Sequence, residues 1–88
     1  MNTHLSHHHR QTVDKIFRHP ASGNLEWRQV LSLLEQIANT TEEHNGKVKV
    51  ALGSETLILH PPRGKDIDTQ MVVDLRRILT EAGLRPEA

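Results

Sequence analysis

Residues 46–60, GKVKVALGSETLILH, decide the fold of this chain. Val48, Val50 and Leu52 alternate with Lys47, Lys49 and Ala51. Beyond Gly53-Ser54, Glu55, Leu57 and Leu59 alternate with Thr56, Ile58 and His60. Successive side chains of a strand point to opposite faces, so Lys47–Leu52 and Glu55–His60 each predict a strand. A two-residue loop containing glycine joins them as a hairpin. It pairs Leu52 with Glu55, Val50 with Leu57 and Val48 with Leu59 on one face, and Lys49 with Ile58 and Lys47 with His60 on the other. One face is aliphatic and the other basic. A slip of one residue would turn the aliphatic face to water, so the pattern itself pins the register.

Pro61-Pro62 ends the second strand, and a basic turn with Arg63 and Lys65 follows. A long helix then begins near Asp66 or Asp68, either of which is suited to cap it. Val72, Leu75, Ile78, Leu79 and Ala82 recur at helical spacing and predict its buried stripe. Gly83 stands where a helix ends in a left-handed residue.

Upstream, Trp27, Val30, Leu31, Leu34, Ile37 and Ala38 form the stripe of a core helix over Glu26–Ala38, with Asn24 as its expected cap. Thr41–Glu43 favours a first, edge strand, and His44-Asn45-Gly46 turns out of it. A shorter helix is expected over Ser6–Arg18, with Val13, Ile16 and Phe17 on one side; Pro20 disfavours its continuation. The order is α-α-β-β-β-α, a three-stranded antiparallel sheet with helices on one face. That is a two-layer α+β domain.

Composition narrows the chemistry. Eighty-eight residues without cysteine make a single small domain with no thiolate metal site or nucleophile. A core of this size gains from partner binding or from assembly into a homo-oligomer. No apolar run approaches the ~18 residues of a membrane span, and the N-terminus lacks the apolar core of a signal peptide. A cytoplasmic protein without membrane association is expected. The formal net charge is zero, unlike that of a strong general nucleic-acid binder. Its distribution is uneven: residues 21–45 carry −3 and residues 46–66 carry +2. A local anion site fits that pattern better than a surface-wide field.

With these elements in place, the chain resembles the HicA (YcfA-like) family of toxins from bacterial toxin–antitoxin pairs. The likeness covers about residues 25–84: the helix Trp27–Ala38, the strand–hairpin–strand block, the His60-Pro61 exit and the close on Ile78-Leu79-Thr80-Glu81-Ala82-Gly83-Leu84. It implies RNA binding, mRNA cleavage as a metal-independent endoribonuclease without a cofactor, and neutralisation by a HicB-like antitoxin. It also implies a double-stranded-RNA-binding-like fold for a HicA-like domain over residues 25–85; the residues before it read as a disordered histidine-rich terminus (1–5) and an N-terminal helix and linker (6–24). One departure matters. The family's catalytic Gly-Ser-His falls on Gly46-Lys47-Val48, and valine moves no protons. No catalytic residue carries over.

The residues still supply some of the chemistry that RNA cleavage needs. Histidine titrates near neutrality and suits proton transfer. His60 is the candidate on the basic face, and His44 in the turn is a weaker one. Lys47, Lys49, Arg63 and Lys65 are candidate phosphate contacts. Trp27 and Phe17 sit on helical core stripes, so base stacking is not expected and recognition of the duplex backbone is favoured. His4, His7, His8 and His9 include an i, i+4 pair (His4 and His8), but the cluster is terminal and lacks fixed partners. No metal site is expected there. The contrary reading of the whole chain is a non-catalytic protein-interaction domain of the same fold. The zero net charge, the acidic segment from Glu35 to Glu43 and an edge strand open to a partner's strand favour it.

Overall fold

The hairpin read from residues 46–60 supplies the central strand of the sheet and one of its edges. In the computed structural model, which describes residues 5–18 and 25–85, three antiparallel strands run in the order β1 (Asn39–Glu42), β2 (Val48–Leu52), β3 (Glu55–Leu59). Val48 pairs with Leu59, Lys49 with Ile58, Val50 with Leu57 and Leu52 with Glu55, the expected register. Gly53 takes φ 63°, the positive value that the first position of a type II′ turn demands and that glycine adopts without a Cβ clash. The regular strands stop one residue short of Lys47 and His60, so that expected pair lies beyond the ladder.

β1 starts earlier than the expected Thr41–Glu43. Asn39 pairs with Ala51 and Glu42 with Val48, because α2 ends at Ile37 and the chain enters the sheet almost at once. Glu43 leaves the strand and helps close the turn: its N–H donates to the Lys47 carbonyl (2.8 Å), and its own carbonyl accepts from Gly46 (2.9 Å).

Three helices complete the chain: α1 (His7–Phe17), α2 (Trp27–Ile37) and α3 (Thr69–Glu81). Helix α2 contacts β1, α3 contacts β3, and α1 lies against both α2 and α3. One apolar cluster joins them all. Val13 and Ile16 of α1, Val30, Leu33, Leu34 and Ile37 of α2, Val48, Val50, Leu52 and Leu59 of the sheet, and Met71, Val72, Leu75, Ile78 and Leu79 of α3 are all buried in it. Trp27, Leu31 and Phe17 are only half-buried at its margin. Among the described residues no helix is long and apolar enough to cross a membrane.

The helix ends follow from local chemistry. Ser6 caps α1 by accepting from the His9 N–H (3.2 Å). Asp68 caps α3 by accepting from Met71 (2.9 Å). At the end of α3, Gly83 sits at φ 84°. The Gly83 N–H reaches the Thr80 carbonyl (3.0 Å) and the Leu84 N–H reaches that of Leu79 (2.8 Å), a Schellman close. For α2 the cap is Glu26, whose N–H is met by Gln29 Oε1 at 3.1 Å. Asn24 and the linker 21–24, expected as a cap and a linker, lie outside the described residues, as do residues 1–4 of the terminus expected to be disordered over 1–5. Leu5, the last residue of that terminus, is instead half-buried against the core.

The other capping candidate, Asp66, has a different task. It forms a two-residue bridge with Glu26. Ile67 N–H donates to the Leu25 carbonyl (3.0 Å) and Trp27 N–H to that of Lys65 (2.7 Å). Backbone pairing thus stitches the loop before α3 to the start of α2. It buries Leu25 and Ile67, two core residues that no periodic stripe announces.

Candidate nucleic-acid interface

The helices cover only one face of the sheet. Alternation sends Lys49, Ala51, Thr56 and Ile58 to the other, together with Thr41 opposite Lys49. Lys49 is exposed, and Ile58 keeps 41% of its surface in water. Lys47 precedes β2 and His60 follows β3 by one residue each. Both fall two positions from Lys49 or Ile58, on the same open face and at the same end of the sheet.

Local bonds fix the backbone there. Lys47 N–H donates to Asn45 Oδ1 at 3.1 Å, and its carbonyl holds Glu43. Lys47 is half-buried and His60 exposed. Among the described residues, no hydrogen bond reaches the His60 ring, so neither a carboxylate nor a carbonyl orients it. His44 is exposed in the turn between β1 and β2.

Arg63 and Lys65 follow in the loop from His60 to α3, both exposed. The Lys65 carbonyl is tied to the first N–H of α2, which sets this loop against the helix layer. The structure therefore brings Lys47, Lys49 and His60 to one open face and stations Lys65 beside the start of α2. Ion pairs among the described residues join Arg28 to Glu26 (3.8 Å) and Arg77 to Glu55 and Glu81 (3.5 Å each). None of these engages Lys47, Lys49, Arg63 or Lys65. No group of three or more His, Asp or Glu side chains able to hold a metal occurs among the described residues.

Two arginines escaped the sequence reading. Arg76 crosses from α3 to α1 and donates Nε to the Ile16 carbonyl and Nη2 to that of Arg18, both at 2.7 Å. A cation at a helix C-terminus satisfies otherwise orphaned carbonyls and complements the helix dipole. Arg77 lies between Glu55 and Glu81. The Glu81 carboxyl is held above its ordinary range, first by hydrogen bonding to Glu55, then by lost hydration and the Glu55 charge, against the opposing pull of Arg77. Nothing local in the sequence marks Arg76 as different from any other arginine beside a core stripe.

Compared with family models, curated proteins and solved structures, the chain matches none. The likeness to HicA toxins rests on the order of the elements and on the residues quoted for it.

Proposed function

We propose that the chain is a HicA-like, RNA-binding module that contacts the phosphate backbone through the open sheet face and the turn that leaves it. One observation carries this reading. Lys47, Lys49, Arg63 and Lys65 have no acidic partner within ion-pair distance among the described residues, so their charge is available to an external anion. Phosphate contacts by lysine and arginine position a protein on a nucleic acid without reading its sequence. That mode suits a surface with little to stack bases on.

Binding is better supported than cleavage. A catalytic histidine works from a fixed orientation, and His60 has no orienting partner among the described residues. Titration of a short duplex RNA at two salt concentrations tests the reading. Affinity must fall as salt rises, because each neutralised phosphate releases counterions. Lys47→Ala and Arg63→Ala should each weaken binding and reduce the salt slope by about one. No binding at low salt would remove the proposal. If the protein does cleave RNA, His60→Ala should abolish cleavage with little loss of affinity, and cleavage surviving that change would discharge His60 from the role.

A second reading has its own observation. β1 is bonded to the sheet on one side only, leaving an outer edge where a partner's strand, such as that of a HicB-like antitoxin, is able to add. Co-purification of the product of the neighbouring reading frame, and its loss when Glu42, whose N–H faces the outer edge in this register, is replaced by proline, would favour this protein-interaction role.

A further inference from the structure

The turn between β1 and β2 carries the dipeptide Asn45-Gly46, whose chemistry neither reading of the chain uses. Asparagine occurs four times in the sequence. Thr3, Leu25 and Thr40 follow Asn2, Asn24 and Asn39; Asn45 alone precedes a glycine. A side chain on the following residue shields that residue's backbone nitrogen, and glycine has none. Residues 43–46 are all exposed, and a Cβ placed on Gly46 would meet no atom within 4 Å. The space around the Gly46 nitrogen is open.

The turn also fixes the amide. Gly46, at φ 84°, ends a three-residue hairpin loop in the left-handed conformation that such loops use. The Lys47 N–H donates to Asn45 Oδ1 at 3.1 Å, which folds the side chain back along the Gly46 peptide unit. That N–H polarises the amide carbonyl, and it is already placed for an oxyanion forming on Oδ1. One bond opposes reaction: the Gly46 N–H donates to the Glu43 carbonyl at 2.9 Å. In an exposed turn water replaces such a bond at little cost.

From this arrangement we infer that Asn45 is a self-modifying site, converting to aspartate or isoaspartate with water as the co-reactant. The Gly46 nitrogen gives its proton to solvent and bonds to Asn45 Cγ. The resulting oxyanion, beside the Lys47 N–H, collapses and expels Nδ2 as ammonia, leaving a cyclic succinimide. Water then opens the ring. Attack at Cγ restores the chain with an aspartate at position 45; attack at the backbone carbonyl routes the chain through Cγ instead. Both products add a carboxylate beside Lys47. The second also lengthens the loop that the Glu43–Lys47 backbone bond closes. The functional consequence rests on the RNA-binding reading: conversion at Asn45 opposes one cation of the open sheet face and lowers its attraction for phosphate.

Peptide mapping by mass spectrometry, after incubation of the full chain in warm, mildly alkaline buffer, tests the chemistry without RNA. The mass gain of an amide-to-acid conversion should arise at Asn45 well before Asn39, in two products that chromatography separates. It should be absent from Asn45→Gln, whose longer side chain would have to close a larger, slower-forming ring. Conversion confined to the urea-unfolded chain, or arising first at Asn39, would overturn the inference. Titration with a short duplex RNA then reads the consequence. Asn45→Asp should weaken binding about two- to fivefold at low salt, the scale of one exposed charge interaction, while Asn45→Gln should bind like the parent. Equal affinities for the two variants, with the parent still binding, would overturn the effect on the sheet face. A parent that binds no RNA would remove the RNA-binding reading and leave the modification supported by the peptide map.

Discussion

The two faces of the same pair of strands have opposite fates. On one, Val48, Val50, Leu52 and Leu59 meet the helices and lose nearly all contact with water. On the other, one residue away along each strand, Lys49, Thr56 and Ile58 stay exposed. Backbone and hydrogen bonding are common to both faces, so the difference lies in the side chains. The aliphatic face is committed to folding, whereas the basic face contributes little to the core and remains free to meet a partner.

Neighbouring residues of β3 give the sharpest test. Leu59→Ala removes a side chain that is 2% exposed and should cost ~2–5 kcal/mol, the transfer and cavity terms together. Ile58→Ala, on the open face, should cost under ~1 kcal/mol. Urea denaturation of both variants measures the contrast. Similar losses would mean that the open face is covered in solution and that the two faces are not as unlike as they look.

The next effect concerns α1, held to the helix layer rather than to the sheet. Arg76→Ala removes two hydrogen bonds from a charged donor to carbonyls at the end of α1 and should destabilise by ~1.5–3 kcal/mol. Hydrogen exchange should quicken in α1 before it does in β2. Uniform quickening would show that α1 unfolds only with the rest of the core.

The smallest effect is on pH dependence at the rim, where α3 meets β3. The Glu81 pKa is raised in the folded chain above 4.5, so the native state takes up this proton at a higher pH than the unfolded state. Stability from this group therefore rises as pH falls through the raised value, and levels off once the unfolded chain is protonated too. Glu81→Gln should remove that contribution, so the gap between variant and wild-type urea midpoints should narrow on acidification. A gap that stays constant with pH would mean that the surroundings of Glu81 do not raise its pKa.

Much of the sheet was legible because alternation, a glycine loop and a proline stop all specify the same hairpin. The capping role of Asp68, one of the two aspartates expected for it, and the glycine close at Gly83 are equally local; the Ser6 cap of α1 was not read from the sequence. The stripes are less complete: Leu33 and Met71 are buried yet sit at the flank of a stripe that the stronger helical period already defines. β1 was shifted because four polar residues carry no alternation to fix their ends. Of the candidate site residues, the phosphate contacts Lys47 and Lys49 and the proton-transfer candidate His60 share a face that follows from strand parity. The position of Lys65 follows from a backbone bond to Trp27 that strand parity does not reach.

The sequence by itself determined the order of elements, the register of the hairpin and which of its faces is apolar. These depend on side-chain periods and turn residues within a few positions of one another. Only the tertiary structure decided how α1 docks against α2 and α3 and how the loop at Lys65–Ile67 is stitched to α2. Those outcomes depend on contacts such as Arg76 with Ile16 and His9 with Ser32, which join positions 60 and 23 residues apart. A polar group finds such a partner only after the apolar core has brought the helices together, and no local pattern in the chain encodes the meeting.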